Sequence, residues 1–265
     1  MTHVAVKTVL CNLPDDECAK LEQARHIAKR VIRDAKQIVH SWAVLSNFQR
    51  RIHEDEMVGK WLPIENPSGL IEVIDALYLT AILAFMRMTD NPGTDRQTAC
   101  SLVGYLENEA VYRAVTDERW LQEIERQLGW AGVPATSRDQ SERIGWLLAR
   151  VPKGWGRDAV EPGCRQLVDA RGALRGLRNH RFAHSTPHIN LDWPSVQELA
   201  AIMKFAAELS NTVQAIFLVD SATLQLSFTV EPMLGGVWDD LFEGIRRRNV
   251  SVPSPQRDFQ VVAPG

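Results

Sequence analysis

Cysteine is scarce and unpatterned in this chain. The 265 residues contain four: Cys11, Cys18, Cys100 and Cys164. None falls in a Cys-x-x-Cys pair, which excludes a zinc knuckle or a thiol redox motif. So few cysteines point to a reducing, cytoplasmic setting over an oxidised framework. A basic excess is also missing. Lys and Arg number 30 against 33 acids, for a formal net charge of -3 and a pI near 6.2. A basic nucleic-acid coat is excluded, so any nucleic-acid contact has to come from a local patch. There is no internal repeat and no low-complexity tract. At 45% apolar and 24% charged residues, the composition excludes collagen, wholesale disorder and coiled-coil rods. The most apolar stretch, Leu70 to Met88, carries Glu72, Asp75 and Arg87. It falls short of the ~20 apolar residues of a spanning helix and reads as a buried helix of a soluble protein. The N-terminus lacks a basic segment followed by an apolar run and a small-residue cleavage site, so no export and no membrane partner are expected.

What is present is mostly helix. The length allows one large domain or two small ones and suffices to bury a core. The expected organisation is a single mainly helical domain over residues 1–250, followed by a 251–265 tail that is either mobile or paired as a strand. Asp15 or Asp16 caps a helix running toward Ile52, with Leu21, Ala24, Ile27, Ala28, Val31 and Ile32 on one face and Lys20, Arg25, Lys29, Arg30 and Arg33 covering much of the rest. Ser68 caps a helix over 69–88 that stops before the Asn91-Pro92-Gly93 turn. Further helices are expected from Thr94 or Asp95 to Val115, over 117–128, and from Ser137 or Asp139 to Leu148. Two more follow at 163–182 and 193–218, the second with Asp192 as its cap and Pro194 in its first turn. Beyond Asp220 the period changes to two. Leu224, Leu226, Phe228 and Val230 alternate with polar residues as a strand, with Phe259–Val262 or Val4–Leu10 as its candidate partner. The fold class is therefore mainly α with a small C-terminal β element.

The chemistry concentrates between Arg165 and His188. Leu167, Ala170, Leu174 and Leu177 form an apolar stripe, while Arg171, Arg175 and Arg178 repeat at helical spacing. From Arg165 to Arg181 there are five arginines and one acid, Asp169, so an acidic chain carries a local positive ridge here. The plain reading is a solvated face that also suits the helix dipole. The ridge leads, however, to His180, His184 and His188. Arginine grips two phosphate oxygens with a planar fork, and histidine moves protons near neutral pH.

The run Arg178-Asn179-His180-Arg181-Phe182-Ala183-His184 resembles the Arg, polar residue, spacer and His motif of the HEPN superfamily (higher eukaryotes and prokaryotes nucleotide-binding). A leucine-spaced helix precedes it and an apolar helix led by Asp192-Trp193 follows. That ordering is similar to the abortive-infection branch, over about residues 155–218. The resemblance implies a HEPN-like helical bundle, paired as a homodimer with the motifs facing each other. It implies a metal-independent endoribonuclease, a toxin or antiviral effector with no cofactor, or else a non-catalytic dimeric binding or scaffold module. RNA, a second copy of the chain, and an antitoxin or other regulatory protein are the implied partners. Arg178 and His184 would be the catalytic pair and Asn179 their polar neighbour. Arg171, Arg175, Arg181 and His180 are assigned to RNA binding.

On a helix, the spacing of His180, His184 and His188 aligns three imidazoles for zinc. Pro187 opposes a helix there, and no Glu lies within the run. Cys164 has no readable partner and reads as a small core residue. Leu234-Gly235-Gly236 lacks a phosphate-loop pattern. The eight tryptophans have no period and read as core or interface anchors.

Overall fold

A seven-residue repeat on one long helix organises the molecule. In the computed structural model, which describes residues 13–54, 68–90, 97–130, 140–153, 165–177 and 196–217, helix α1 spans Asp15–Glu54. Its 40 residues extend about 60 Å at 1.5 Å each. Asp15, Asp16 and Glu17 occupy the first turn, where negative charge meets the positive end of the helix dipole. Leu21, Ala24, Ala28, Val31, Ala35, Ile38, Trp42 and Leu45 recur at alternating steps of three and four, and all are buried. That spacing keeps one seam turned toward the neighbouring helices.

Two helices lie along the seam, α2 (Ser68–Met88) and α8 (Val196–Phe217). Both are antiparallel to α1. Arg87 of α2 meets Asp34, whereas Ala81 and Ile82 border Ile38 and Trp42. The Phe217 carbonyl of α8 meets Arg25, whereas Ile202 borders Ile38 and Trp42. On α8, Ile202, Ala206, Leu209, Val213 and Ile216 repeat the same spacing and are buried. Helix α7 (Arg165–Leu177) fills the fourth position, with Leu174 set among α1, α2 and α8. Neighbouring members of this set alternate in direction, the arrangement of an up-down four-helix bundle.

Four shorter helices sit between α2 and α7 in the chain: α3 (Ala99–Leu106), α4 (Glu109–Val115), α5 (Glu118–Trp130) and α6 (Gln140–Arg150). Helices α3 and α4 pack on α1, and α6 packs on α8. The single helix expected up to Val115 is divided at Asn108. Its side chain accepts from the amides of Ala110 at 3.2 Å and Val111 at 3.4 Å, so it starts a new helix where periodicity alone continues the old one. The other expected helices form, and the ends that fall on described residues lie within a few residues of their expected bounds; residues 163–164, 178–182 and 193–195 of the helices expected over 163–182 and 193–218 lie outside the described residues. No strand occurs among the described residues. The strand expected at Leu224–Val230 and both of its candidate partners lie outside them. Among the described residues no helix is long and apolar enough to cross a membrane.

The C-terminal end of α8 is closed by side chains from two other helices. Trp120 Nε1 donates to the Ile216 carbonyl at 2.8 Å, and Arg25 Nε donates to the Phe217 carbonyl at 3.2 Å. The Arg25 guanidinium also lies 6.0 Å from the centre of the Trp120 ring. Terminal helix carbonyls have no partner within their own helix, so these donors satisfy groups that would otherwise be buried unpaired. Arg25, expected on the polar face of α1, is buried for this reason.

Leu209 lies on the α8 seam with no exposure, whereas Leu148 of α6 is 38% exposed. Leu209→Ala is expected to destabilise the protein by about 2–5 kcal/mol through lost burial and a residual cavity. Leu148→Ala should change stability by less than about 0.5 kcal/mol. Denaturant unfolding of the two variants checks the contrast. A second expectation concerns Asp117, which caps α5 by accepting from the Arg119 amide at 2.9 Å and from Arg119 Nε at 3.1 Å. The hydrogen bond from the Arg119 side chain holds the Asp117 carboxyl below its usual range. Its folded pKa is thus the lower one, so its contribution is present above the unfolded value and lost as pH falls through the folded value. Asp117→Ala should cost about 1 kcal/mol at neutral pH. The deficit should shrink as pH drops below about 4, the ordinary aspartate pKa, as followed by unfolding at a series of pH values.

Candidate functional site

Helix α7 delivers the chain to the histidine motif. Arg178 directly follows its last residue, Leu177. Arg178, Asn179, His180, Arg181, His184 and His188 lie outside the described residues, so the site is approached through the helices that flank it. Arg171 sits beside Thr89 and Asp90, at the C-terminal end of α2, and Leu174 sits beside Ala81 and Ile82 further back along the same helix. Helix α7 therefore runs antiparallel to α2. Its C-terminal end points to the end of the bundle at which α8 begins, and residues 178–195 join the two.

The arginine ridge divides in two. Arg171 was expected to face solvent and guide RNA. It is instead 6% exposed, with Nε donating to the Thr89 carbonyl at 2.9 Å and Nη2 to Asp90 Oδ1 at 3.3 Å. Thr89 Oγ1 in turn donates to the Phe85 carbonyl at 2.7 Å, so the end of α2 is closed by two side chains. The cation also suits the negative end of the α2 dipole. Arg175 is exposed. The difference follows from helical geometry. Arg171 lies only about 60° around α7 from the core residue Leu174, whereas Arg175 lies about 100° from it, at 100° per residue. Spacing at i, i+4 put both arginines on one stripe, and the stripe straddles the edge of the buried face. Of the residues assigned to RNA binding, Arg175 keeps a solvent position and Arg171 is a structural anchor.

A second polar pair ties α2 to α1. Asp34 is buried, and Arg87 holds it with Nε at 3.2 Å and Nη2 at 3.0 Å from Oδ1, while Nη2 also reaches Gln37 Oε1 at 2.7 Å. Between the four bundle helices lies a void of about 10 Å³ lined by Ile38, Trp42, Ala81, Ile82, Leu174 and Ile202. A space of that size holds one water at most, and its lining is apolar, so it is no substrate pocket. No group of three or more His, Cys, Asp or Glu side chains suited to a metal ion occurs among the described residues.

No family model, curated protein or solved structure matches the chain. The candidate site thus rests on the motif between α7 and α8 and on the bundle that holds both helices.

Arg171→Ala leaves the Thr89 carbonyl and the Asp90 carboxylate without their buried donor. It is expected to lower stability by about 1.5–3 kcal/mol, the usual worth of a hydrogen bond to a charged group. Arg175→Ala should leave stability within about 0.5 kcal/mol of the parent. Thermal or urea unfolding of the pair checks the assignment, and equal stability of the two variants contradicts it.

Proposed function

We propose that this chain is a metal-independent endoribonuclease of HEPN type, acting as a homodimer. The observation that carries the reading is the Arg178-Asn179…Ala183-His184 motif lying between two packed helices of a helical bundle, α7 and α8. The helical bundle formed by α1, α2, α7 and α8 supports it, because the resemblance implies a helical bundle. Cleavage takes place by attack of a ribose 2′-oxygen on the adjacent phosphorus. The 2′-hydroxyl loses a proton, the bond from phosphorus to the 5′-oxygen breaks, and that oxygen gains a proton. The products are a 2′,3′-cyclic phosphate and a 5′-hydroxyl. His184 transfers protons, Arg178 holds the phosphate oxygens as negative charge grows on them, and Asn179 orients the phosphate or the imidazole. Each subunit supplies one such histidine, so a two-fold pair supplies an acid and a base. Arg175 is the ridge arginine that contacts phosphate before the motif, joined by His180 and Arg181. A toxin or antiviral role, and control by an antitoxin or other regulatory protein, belong to the same reading.

His184→Ala is expected to slow cleavage of total RNA in the presence of chelator by on the order of 10²–10⁴-fold, the usual worth of general acid–base catalysis. Arg178→Ala should slow it by on the order of 10²–10³-fold, as when a charge-stabilising donor is removed. Arg178→Lys should recover only part of the loss, because an ammonium keeps the charge without the fork. Gel analysis with end-group mapping of the products checks all three. Equal activity of the parent and His184→Ala rejects the assignment. A folded dimer that binds RNA without cleaving it identifies a binding module.

A further inference from the structure

The exposed side of α1 carries a basic strip that the motif chemistry does not use. Lys29, Arg30, Arg33 and Lys36, flanked by His26 and His40, fall within an arc of about 120° at 100° per residue. They cover roughly 21 Å of helix at 1.5 Å per residue. His26, Lys29, Arg30, Arg33 and His40 are exposed, and Lys36 is half-buried at the margin of the seam. None of the four cations has an ion pair or hydrogen bond among the described residues. The acid nearest in sequence, Asp34, is turned inward and bound by Arg87. Glu22, at the N-terminal end of the strip, is bound by Arg25 at 2.7 Å. In a chain of net charge -3, four cations along one helix face thus have no counter-charge among the described residues. Burial pulls the Lys36 pKa down, as expected for an ammonium partly out of water.

We propose that this face of α1 is a sequence-independent strip for the phosphate backbone of a single RNA strand. The choice of RNA rests on the endoribonuclease reading, whereas the choice of a phosphate backbone rests on the strip itself. Lipid insertion requires an apolar face, and that of α1 is consumed in the seam. Docking of an acidic protein is anchored by aromatic and large apolar side chains, and the strip has none. Its regular cations match a regular line of phosphates, which position a strand without reading its bases. Along the bundle axis the strip ends at His40, close to Trp42, which lies level with Leu174. It therefore leads toward the end of the molecule at which α7 gives way to the motif.

The test uses the full chain and a 2′-O-methylated 20-nucleotide strand, which binds but cannot be cleaved by 2′-oxygen attack. Fluorescence anisotropy is followed over a range of salt for the parent, Lys29→Gln/Arg33→Gln, Arg30→Gln/Lys36→Gln and Lys20→Gln. Glutamine keeps the helix propensity of lysine and arginine, and unchanged melting temperatures verify folding. Lys20 is paired with Asp16 and lies off the strip, so its variant serves as the control. Each double variant should weaken binding at low salt. Each should also flatten the slope of log affinity against log salt by about 1.4, from about 0.7 per phosphate contact on a single strand. The control should leave both unchanged. Slopes and affinities equal to the parent in both double variants overturn the proposal. So does binding of vesicles rich in anionic lipid, or of polyglutamate, without binding of the strand. Cleavage of unmodified RNA is measured in parallel. Strip-dependent binding by a protein with no cleavage activity rejects the nuclease reading and keeps the strip. Parent-like binding and cleavage by both double variants reject the strip and keep the nuclease.

Discussion

The alanine-rich seam of α1 sets the positions of the other bundle helices. Ala24, Ala28 and Ala35 are wholly buried and interspersed with Leu21, Val31 and Ile38. Small residues let neighbouring backbones approach, while the branched residues fill the space on either side. Because α1 is 40 residues long, one continuous seam contacts α2 and α8 along the bundle, with α3 and α4 packed against the same helix. Asp34 at the margin of this seam fixes more than a contact. A buried carboxylate without a partner is strongly unfavourable, so α2 is held at the register that brings Arg87 to it.

Arginine serves two opposite ends in this protein. Arg25 and Arg171 are drawn inside to close the carbonyl ends of α8 and α2, with Trp120 and Thr89 completing the same task. Both helix ends abut other helices, where water is not at hand to satisfy the carbonyls, and a long side chain reaching from a neighbour is the remaining donor. Each such arginine also couples two segments far apart in sequence. Arg175 on α7 and Lys29, Arg30 and Arg33 on α1 stay at the surface and close no helix end among the described residues.

This division separates the structural cations from those open to a phosphate-bearing partner. Helix α7 is anchored at Arg171 and packed at Leu174, so the residue that opens the motif follows a helix whose position is fixed from two sides. Helix α8 is fixed likewise by its seam and by its closed C-terminal end. A bundle that holds both flanking helices suits the proposed chemistry, which needs a short, defined separation between a guanidinium, an imidazole and a phosphate.

The helical character and most helix bounds were legible in the sequence, because a buried face repeats at 3.6 residues whatever it packs against. The end of α2 at Met88 was legible for a different local reason, the turn residues Asn91, Pro92 and Gly93 that follow in the sequence. The division at Asn108 was not, since its capping bonds compete with a periodicity that continues through it. Arg171, Arg175, Arg178 and His184 were singled out by residue type and spacing, which identify candidates but not their surroundings. Spacing alone placed Arg171 and Arg175 on one stripe, and only the packing of α7 against α2 turned one inward and left the other in water. Likewise Arg25 and Arg33 are alike on α1 as written, and their difference arises because the end of α8 arrives beside one and not the other. Local pattern determined which segments are helices and which residues are candidates for the proposed phosphate chemistry. The tertiary structure decided which of those charges are consumed in closing helix ends, because that depends on neighbours up to 192 positions away in the chain.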